Sequence, residues 1–283
     1  MKKIKLLLLL LGVFILSGCN ITKDSMEDIE IYTTIYPIRY LINSLYGTNS
    51  TINSIYPSGV DPNDFKISDK KIEEYSKTDL FVFNSLDKER DIAVKMLNKN
   101  KKLKIIDVST GMTYDNDIAE LWLNPYNYLM MAENTKKGLL EYIDNPYLIS
   151  NTDGTGIENK YEELKYDLSR LDADIKEKVS LAKYNTVVVD TNLFKYLEKY
   201  NLKVISLEET EELNENTIDE VKKLINNGSI KYIYSASDST NETCQKLIDN
   251  YLDKNNNLNL RFLFNNTKPK TVYRVEIKDE YDK

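Results

Sequence analysis

The chain has 283 residues, 38 basic against 45 acidic side chains, and no histidine. The missing imidazole excludes Ser-His-Asp triads, Cys-His dyads and every histidine-ligated metal centre. A net charge of −7 argues against a nucleic-acid partner, and 41% hydrophobic residues suit a packed protein of one large or two modest domains.

Residues 1–18 have the architecture of an export signal. Lys2, Lys3 and Lys5 precede an apolar run, Leu6 to Leu16, that falls short of the ~20 residues needed to span a bilayer. Leu16-Ser17-Gly18-Cys19 resembles a bacterial lipobox, which implies lipidation at Cys19 and an anchor on the extracytoplasmic face of the cell membrane. Removing the signal takes the net charge to −10. Residues 19–28 are polar and read as a tether. Cys244 is then a lone thiol without an intrachain partner, and reads as a small core residue of a helix.

An α/β rhythm fills 29–158. Strands are expected at Ile29–Thr33, Leu80–Asn84 and Lys104–Val108. Helices are expected at Pro37–Tyr46, Asp69–Tyr75, Asp87–Leu97 and Pro125–Ile143, the last opened by a first-turn proline. Pro146, Gly154 and Gly156 then break the pattern. Leu164, Leu168, Leu171, Ile175, Val179 and Ala182 share one helical face, so 159–184 reads as a single helix roughly 39 Å long.

A second rhythm occupies 185–283. Strands are expected at Thr186–Asp190, Val204–Leu207, Lys231–Ser235, Leu260–Phe264 and Thr271–Ile277. Helices are expected at Phe194–Tyr200, from a capping box at Thr217-Ile218-Asp219-Glu220 to about Asn226, and at Thr240–Leu252. Alternating strands and helices predict an α/β fold: two lobes with largely parallel sheets joined by one long backbone helix, with a cleft between them. No P-loop, dinucleotide-binding glycine fingerprint or nucleophile motif appears, and Asp153-Gly154-Thr155-Gly156 reads as a loop, so no enzyme is expected.

With these elements placed, the mature chain resembles the zinc- and manganese-binding lipoproteins that feed ABC importers. Thr33-Thr34-Ile35-Tyr36-Pro37 is similar to that family's opening strand-to-helix turn. Ile55 to Phe65 is similar to a stretch where the family has glycine, an acid, proline and a ligand histidine, and Asn63 stands at the histidine. Glu120-Leu121-Trp122-Leu123-Asn124-Pro125 is similar to a histidine-x-Trp-Leu-x-Pro motif, with Glu120 at the ligand. Thr191 leads a segment, to Leu197, that the family opens with histidine. Ala236 follows the strand that delivers a late acidic ligand, and Leu171-Asp172 sits in the long helix where the family often has that pair. The last acidic ligand region falls near Asn265 or Asn266. The resemblance implies a metal-type periplasmic-binding-protein-like fold and an ABC permease as partner of a monomeric chain.

Asn63, Glu120, Thr191 and Ala236 supply one carboxylate, two neutral oxygens and a methyl, which is a poor zinc set. Asp64, Asp190 and Asp238 flank these positions and are candidate substitute ligands for a hard, oxygen-ligated divalent ion. Each also has a plain reading: Asp190 and Asp238 as helix caps, Asp64 as a turn residue, Glu120 as a solvated side chain. Tyr36, Trp122, Tyr126 and Tyr128 fall near the cleft, as an aromatic ligand stack or, more simply, as core. Two functions remain open: solute capture at a histidine-free site with a metal or none bound, and partner binding or adhesion by a surface lipoprotein that keeps the fold.

Overall fold

The computed structural model describes residues 23–58, 60–236, 240–252 and 259–262. Two parallel four-stranded sheets organise them. The first has the order β2-β1-β3-β4, from β1 (Ile29–Thr33), β2 (Ser50–Ser54), β3 (Leu80–Phe83) and β4 (Lys104–Asp107). The second has the order β6-β5-β7-β8, from β5 (Thr186–Val189), β6 (Lys203–Ser206), β7 (Tyr232–Ser235) and β8 (Asn259–Phe262). Central strand β3 is buried at every residue, as a parallel strand covered on both faces must be.

Helices α1 (Tyr36–Tyr46), α2 (Asp69–Tyr75), α3 (Glu89–Lys99), α4 (Glu120–Leu123), α5 (Pro125–Tyr142) and α6 (Pro146–Ile149) belong to the first lobe. Pro125 takes the first-turn position of α5, and Asn124 caps it by accepting from the Tyr126 amide at 3.1 Å. The long helix α7 runs Ile157–Leu181, then a 3₁₀ helix Asn192–Tyr200, α8 (Glu215–Asn226) and α9 (Glu242–Leu252) complete the second lobe.

Several expectations shift. The segment read as a tether is tied to the first lobe from Lys23 onward: Lys23 donates to the Leu140 carbonyl at 3.2 Å, Asp24 pairs with Ile143, and Met26 is buried in the core, while 23–25 stay exposed. The apolar stripe of α7 enters that core through Ile157, Tyr161, Leu164 and Leu168 only, whereas Leu171, Ile175 and Val179 are half-buried and Ala182 lies beyond the helix. Past Leu168 the helix meets the 3₁₀ helix, with polar bonds from Lys199 and Tyr200 to Asp172. The capping box at Thr217 is displaced, since Asn214 is the cap and accepts from the Thr217 amide at 3.1 Å. Cys244 is fully buried in the second lobe's core, beside Leu247 and Ile248. The strand expected at Thr271–Ile277 lies outside the described residues.

Candidate functional site

In both sheets the strand carboxyl ends and the loops after them carry the positions of interest, as ligand crevices do in open α/β sheets. In the first lobe, Asn63 and Asp64 sit exposed in a turn after β2. Asp61 builds that turn. Its side chain accepts from the Asn63 amide at 2.7 Å, and its carbonyl accepts from the amides of Asp64 and Phe65 at 3.2 and 3.1 Å. The loop is pinned from below, where the Lys88 ammonium donates to the Pro62 carbonyl and the Phe65 ring meets Tyr56 edge-on at 6.2 Å.

Glu120 opens α4, and it is not solvated. It is 6% exposed, and both carboxylate oxygens are taken: Oε2 by the Asp115 amide at 3.2 Å, Oε1 by the Asn116 amide at 3.2 Å and its side chain at 2.8 Å. The carboxylate thereby gathers the loop that precedes its own helix. At the end of β4, Asp107 accepts from the amides of Ser85 and Ser109 and from the Ser109 hydroxyl at 3.1, 3.0 and 2.7 Å. Burial opposes ionisation there, but these bonds win and hold the carboxyl below its ordinary value.

In the second lobe, Thr191 caps the 3₁₀ helix by accepting from the Leu193 amide at 3.3 Å. Asp190 does not cap that helix. Its carboxylate accepts from the Ala236 amide at 3.3 Å and the Thr240 hydroxyl at 2.8 Å, joining the end of β5 to the loop after β7. Asn241 strengthens the joint by donating to the carbonyls of Asp190 and Leu207 at 3.1 and 2.8 Å. Asp190, Ala236 and Thr240 are thus together, and α4 packs against the 3₁₀ helix, which brings the elements led by Glu120 and Thr191 side by side. Among the described residues no hydrogen bond joins Asn63 or Asp64 to them, and no three Cys, Asp or Glu side chains gather where a metal ion could be held. Cys19, Asp238, Asn265 and Asn266 lie outside the described residues.

Two neighbouring acids with structural work escaped the sequence reading. Glu208 accepts from the Asn192 amide at 2.5 Å, and Glu209 from the Thr243 amide at 2.8 Å, so consecutive carboxylates occupy the starts of two helices. The run Glu208-Glu209 was the only available signal. Beside them an open hollow of 180 Å³ is lined by Asn192, Lys195, Ser206, Glu208, Thr210 and Thr217. The aromatic positions divide: Tyr128 is buried and donates to the Pro37 carbonyl at 2.7 Å, Trp122 packs half-buried on the first lobe's core, and Tyr126 is exposed. Tyr36 meets the Tyr40 ring, with centroids 6.3 Å apart and planes tilted by 42°.

Residues 31–274 match the family model described as zinc-uptake complex component A, periplasmic (ZnuA). The zinc-binding lipoprotein AdcA of Streptococcus pneumoniae is 25% identical over 260 residues, which cover 83% of this chain and 50% of AdcA, so the chain spans half the length of that relative. The metal ABC transporter substrate-binding lipoprotein SsaB of Streptococcus sanguinis is 26% identical, covering 80% of this chain and 78% of SsaB. The crystal structure of AdcAII from Streptococcus pneumoniae shares the fold, with a TM-score of 0.68 at 18% identity over 90% of this chain and 97% of that one.

Proposed function

We propose, from the premise that the chain belongs to the zinc-uptake complex component A family, that it is the solute-binding lipoprotein of a metal-type ABC importer whose cargo site has been rebuilt without imidazole. Members of this family are binding components of transport systems and not enzymes. The observation that supports the reading is the contact of α4, which Glu120 opens, with the 3₁₀ helix that Thr191 caps. Carboxylates, an amide and hydroxyls suit a hard divalent ion such as manganese, magnesium or calcium better than zinc. In this reading Cys19 carries the lipid, the lobes stand on the extracytoplasmic face, and a permease receives the cargo from a monomer. No helix among the described residues is long and apolar enough to cross a membrane.

The test is metal analysis of the purified mature protein, followed by calorimetric titration with zinc, manganese, magnesium and calcium. A hard ion bound at micromolar levels, with zinc weaker, is the expected result. Failure of every ion to bind at micromolar levels sinks the cargo assignment.

A second reading rests on the same side chains. Glu120 has spent both oxygens on the 115–116 loop, and Ala236 offers only a methyl. A lipoprotein that keeps the fold but has abandoned the site would use its surface for partner binding or adhesion. Affinity capture from the native membrane separates the two: a permease and its ATPase support transport, and a different stable partner supports the second reading.

A further inference from the structure

The hollow beside the 3₁₀ helix lies at the carboxyl end of β6, next to the helix that follows β5, where α/β sheets place their ligands. Asn192 and Lys195 line it from the 3₁₀ helix, Ser206 from the end of β6, and Glu208, Glu212 and Leu213 from the loop that follows. Asn63, Glu120, Thr191 and Ala236 are not among its walls. Two opposite charges share this space without pairing. Lys195 is half-buried, and its ammonium makes no hydrogen bond or ion pair among the described residues. The exposed Glu212 carboxylate has no partner among them either.

The walls are fixed while these charges stay apart. Glu208 Oε2 accepts from the Asn192 amide at 2.5 Å, which fastens the loop of Glu212 to the start of the helix that carries Lys195. The loop is closed on itself: the Thr210 amide donates to the Glu208 carbonyl at 2.8 Å, and the Leu213 amide to the Thr210 carbonyl at 3.1 Å. Ser206 Oγ accepts from the Glu208 amide at 3.3 Å and keeps its own proton to donate. At 180 Å³ the hollow is smaller than the roughly 300–1,000 Å³ of pockets for drug-sized ligands, so its occupant is small. An anion alone would meet Glu208 and Glu212, and a cation alone would leave Lys195 unpaired. A ligand carrying both signs a few bonds apart complements both walls. We propose that the hollow binds a free α-amino acid with a small or aliphatic side chain. Its carboxylate lies on Lys195 and the Ser206 hydroxyl, its ammonium on Glu212 and the second oxygen of Glu208, and its side chain toward Leu213.

The mature protein, in chelator-treated buffer so that no metal contributes, is titrated calorimetrically with glycine, L-alanine, L-serine and L-valine. Propionate and propylamine, which carry one charge each, are titrated alongside. The expected result is saturable binding of at least one amino acid at millimolar concentration or below, with propionate and propylamine weaker by about tenfold or more. Lys195→Met and Glu212→Gln should each weaken the amino acid by about tenfold. Neither should move the Tm of the unliganded protein, since neither side chain has a partner to lose among the described residues. Absence of binding by all four amino acids overturns the proposal. So does equal binding of either singly charged ligand, or an affinity that either variant retains in full.

Discussion

Lys199 reaches from the 3₁₀ helix to within 2.9 Å of Asp172 on the long helix. The same ammonium donates to Asn124 Oδ1 at 2.6 Å, and the Tyr200 hydroxyl donates to Asp172 at 2.6 Å. One cation therefore ties the cap of α5 in the first lobe to the long helix and to the second lobe. Burial opposes the ionised Asp172, but the bonds from Lys199 and Tyr200 hold its carboxyl below the ordinary range. Lys199 and Asp172 side chains are 32% and 38% exposed, so solvent screening limits the ion pair itself. Lys199→Ala is expected to lower stability by about 1 kcal/mol, or roughly 2–4 °C in Tm. The single Trp122, on the helix beside this clasp, reports it by fluorescence. An unchanged melting curve would show that the lobes are held by other contacts.

Glu120 behaves as a loop clip, so its removal is expected to act on stability before it acts on any cargo. Glu120→Ala removes the acceptor of three part-buried bonds from the exposed residues Asp115 and Asn116. A loss of about 1–2 kcal/mol is expected in urea unfolding, because water reaches the freed donors and each net hydrogen bond is worth about 0.5–1.5 kcal/mol. Glu120→Gln should lose less, as one oxygen remains an acceptor. A variant within ~0.5 kcal/mol of wild type, the range of ordinary surface changes, would return Glu120 to the pool of free ligands.

The legible parts of this chain were those where local pattern and burial agree. Ile29–Thr33 and Asp69–Tyr75 fall at the expected bounds, the strand with alternating burial and the helix with Ser68 as its cap. Strand β2 was not legible, because Ser-Thr-Ile-Asn-Ser has one apolar residue and lies on the sheet's edge, where no second neighbour demands more. The even stripe of α7 promised uniform burial, yet its second half meets Lys199 and Tyr200, partners some thirty residues away that no periodicity reveals. Asn63, Glu120 and Thr191 were named by resemblance alone, as family-equivalent positions. That Glu120 is occupied could not be read there, since its partners are loop amides whose direction is set only by the folded backbone.

Cys244 is expected to be inert in the folded protein. It is fully buried, and burial pushes its thiol up to about 12, well above ordinary cysteine. In protein lacking Cys19, a thiol reagent such as DTNB should react stoichiometrically in urea and negligibly over an hour in native buffer. Rapid native labelling would mean that the Cys244–Ile248 side of α9 opens far more readily than its packing suggests.

Glu89 gives the chain a pH dependence with a definite sign. Burial, the dominant cause, outweighs the Asn84 amide and the Thr34 hydroxyl, and with Asp87 pushes the carboxyl up from 4.5 to about 8 despite Lys88. Between those values the folded chain keeps a proton that the unfolded chain has released. Folded protein therefore binds more protons than unfolded, and stability must fall as pH rises. The contribution is fully present below 4.5 and lost as pH passes about 8. The absence of histidine makes this visible, because no other side chain with an ordinary value changes charge between pH 5 and 8. Wild-type Tm should fall by several degrees from pH 5 to pH 8.5. Glu89→Gln, which stays neutral, should remove that slope and be the more stable protein at the alkaline end. Parallel slopes for the two proteins would show that Glu89 is ionised throughout, and that its charge is compensated by something other than a proton.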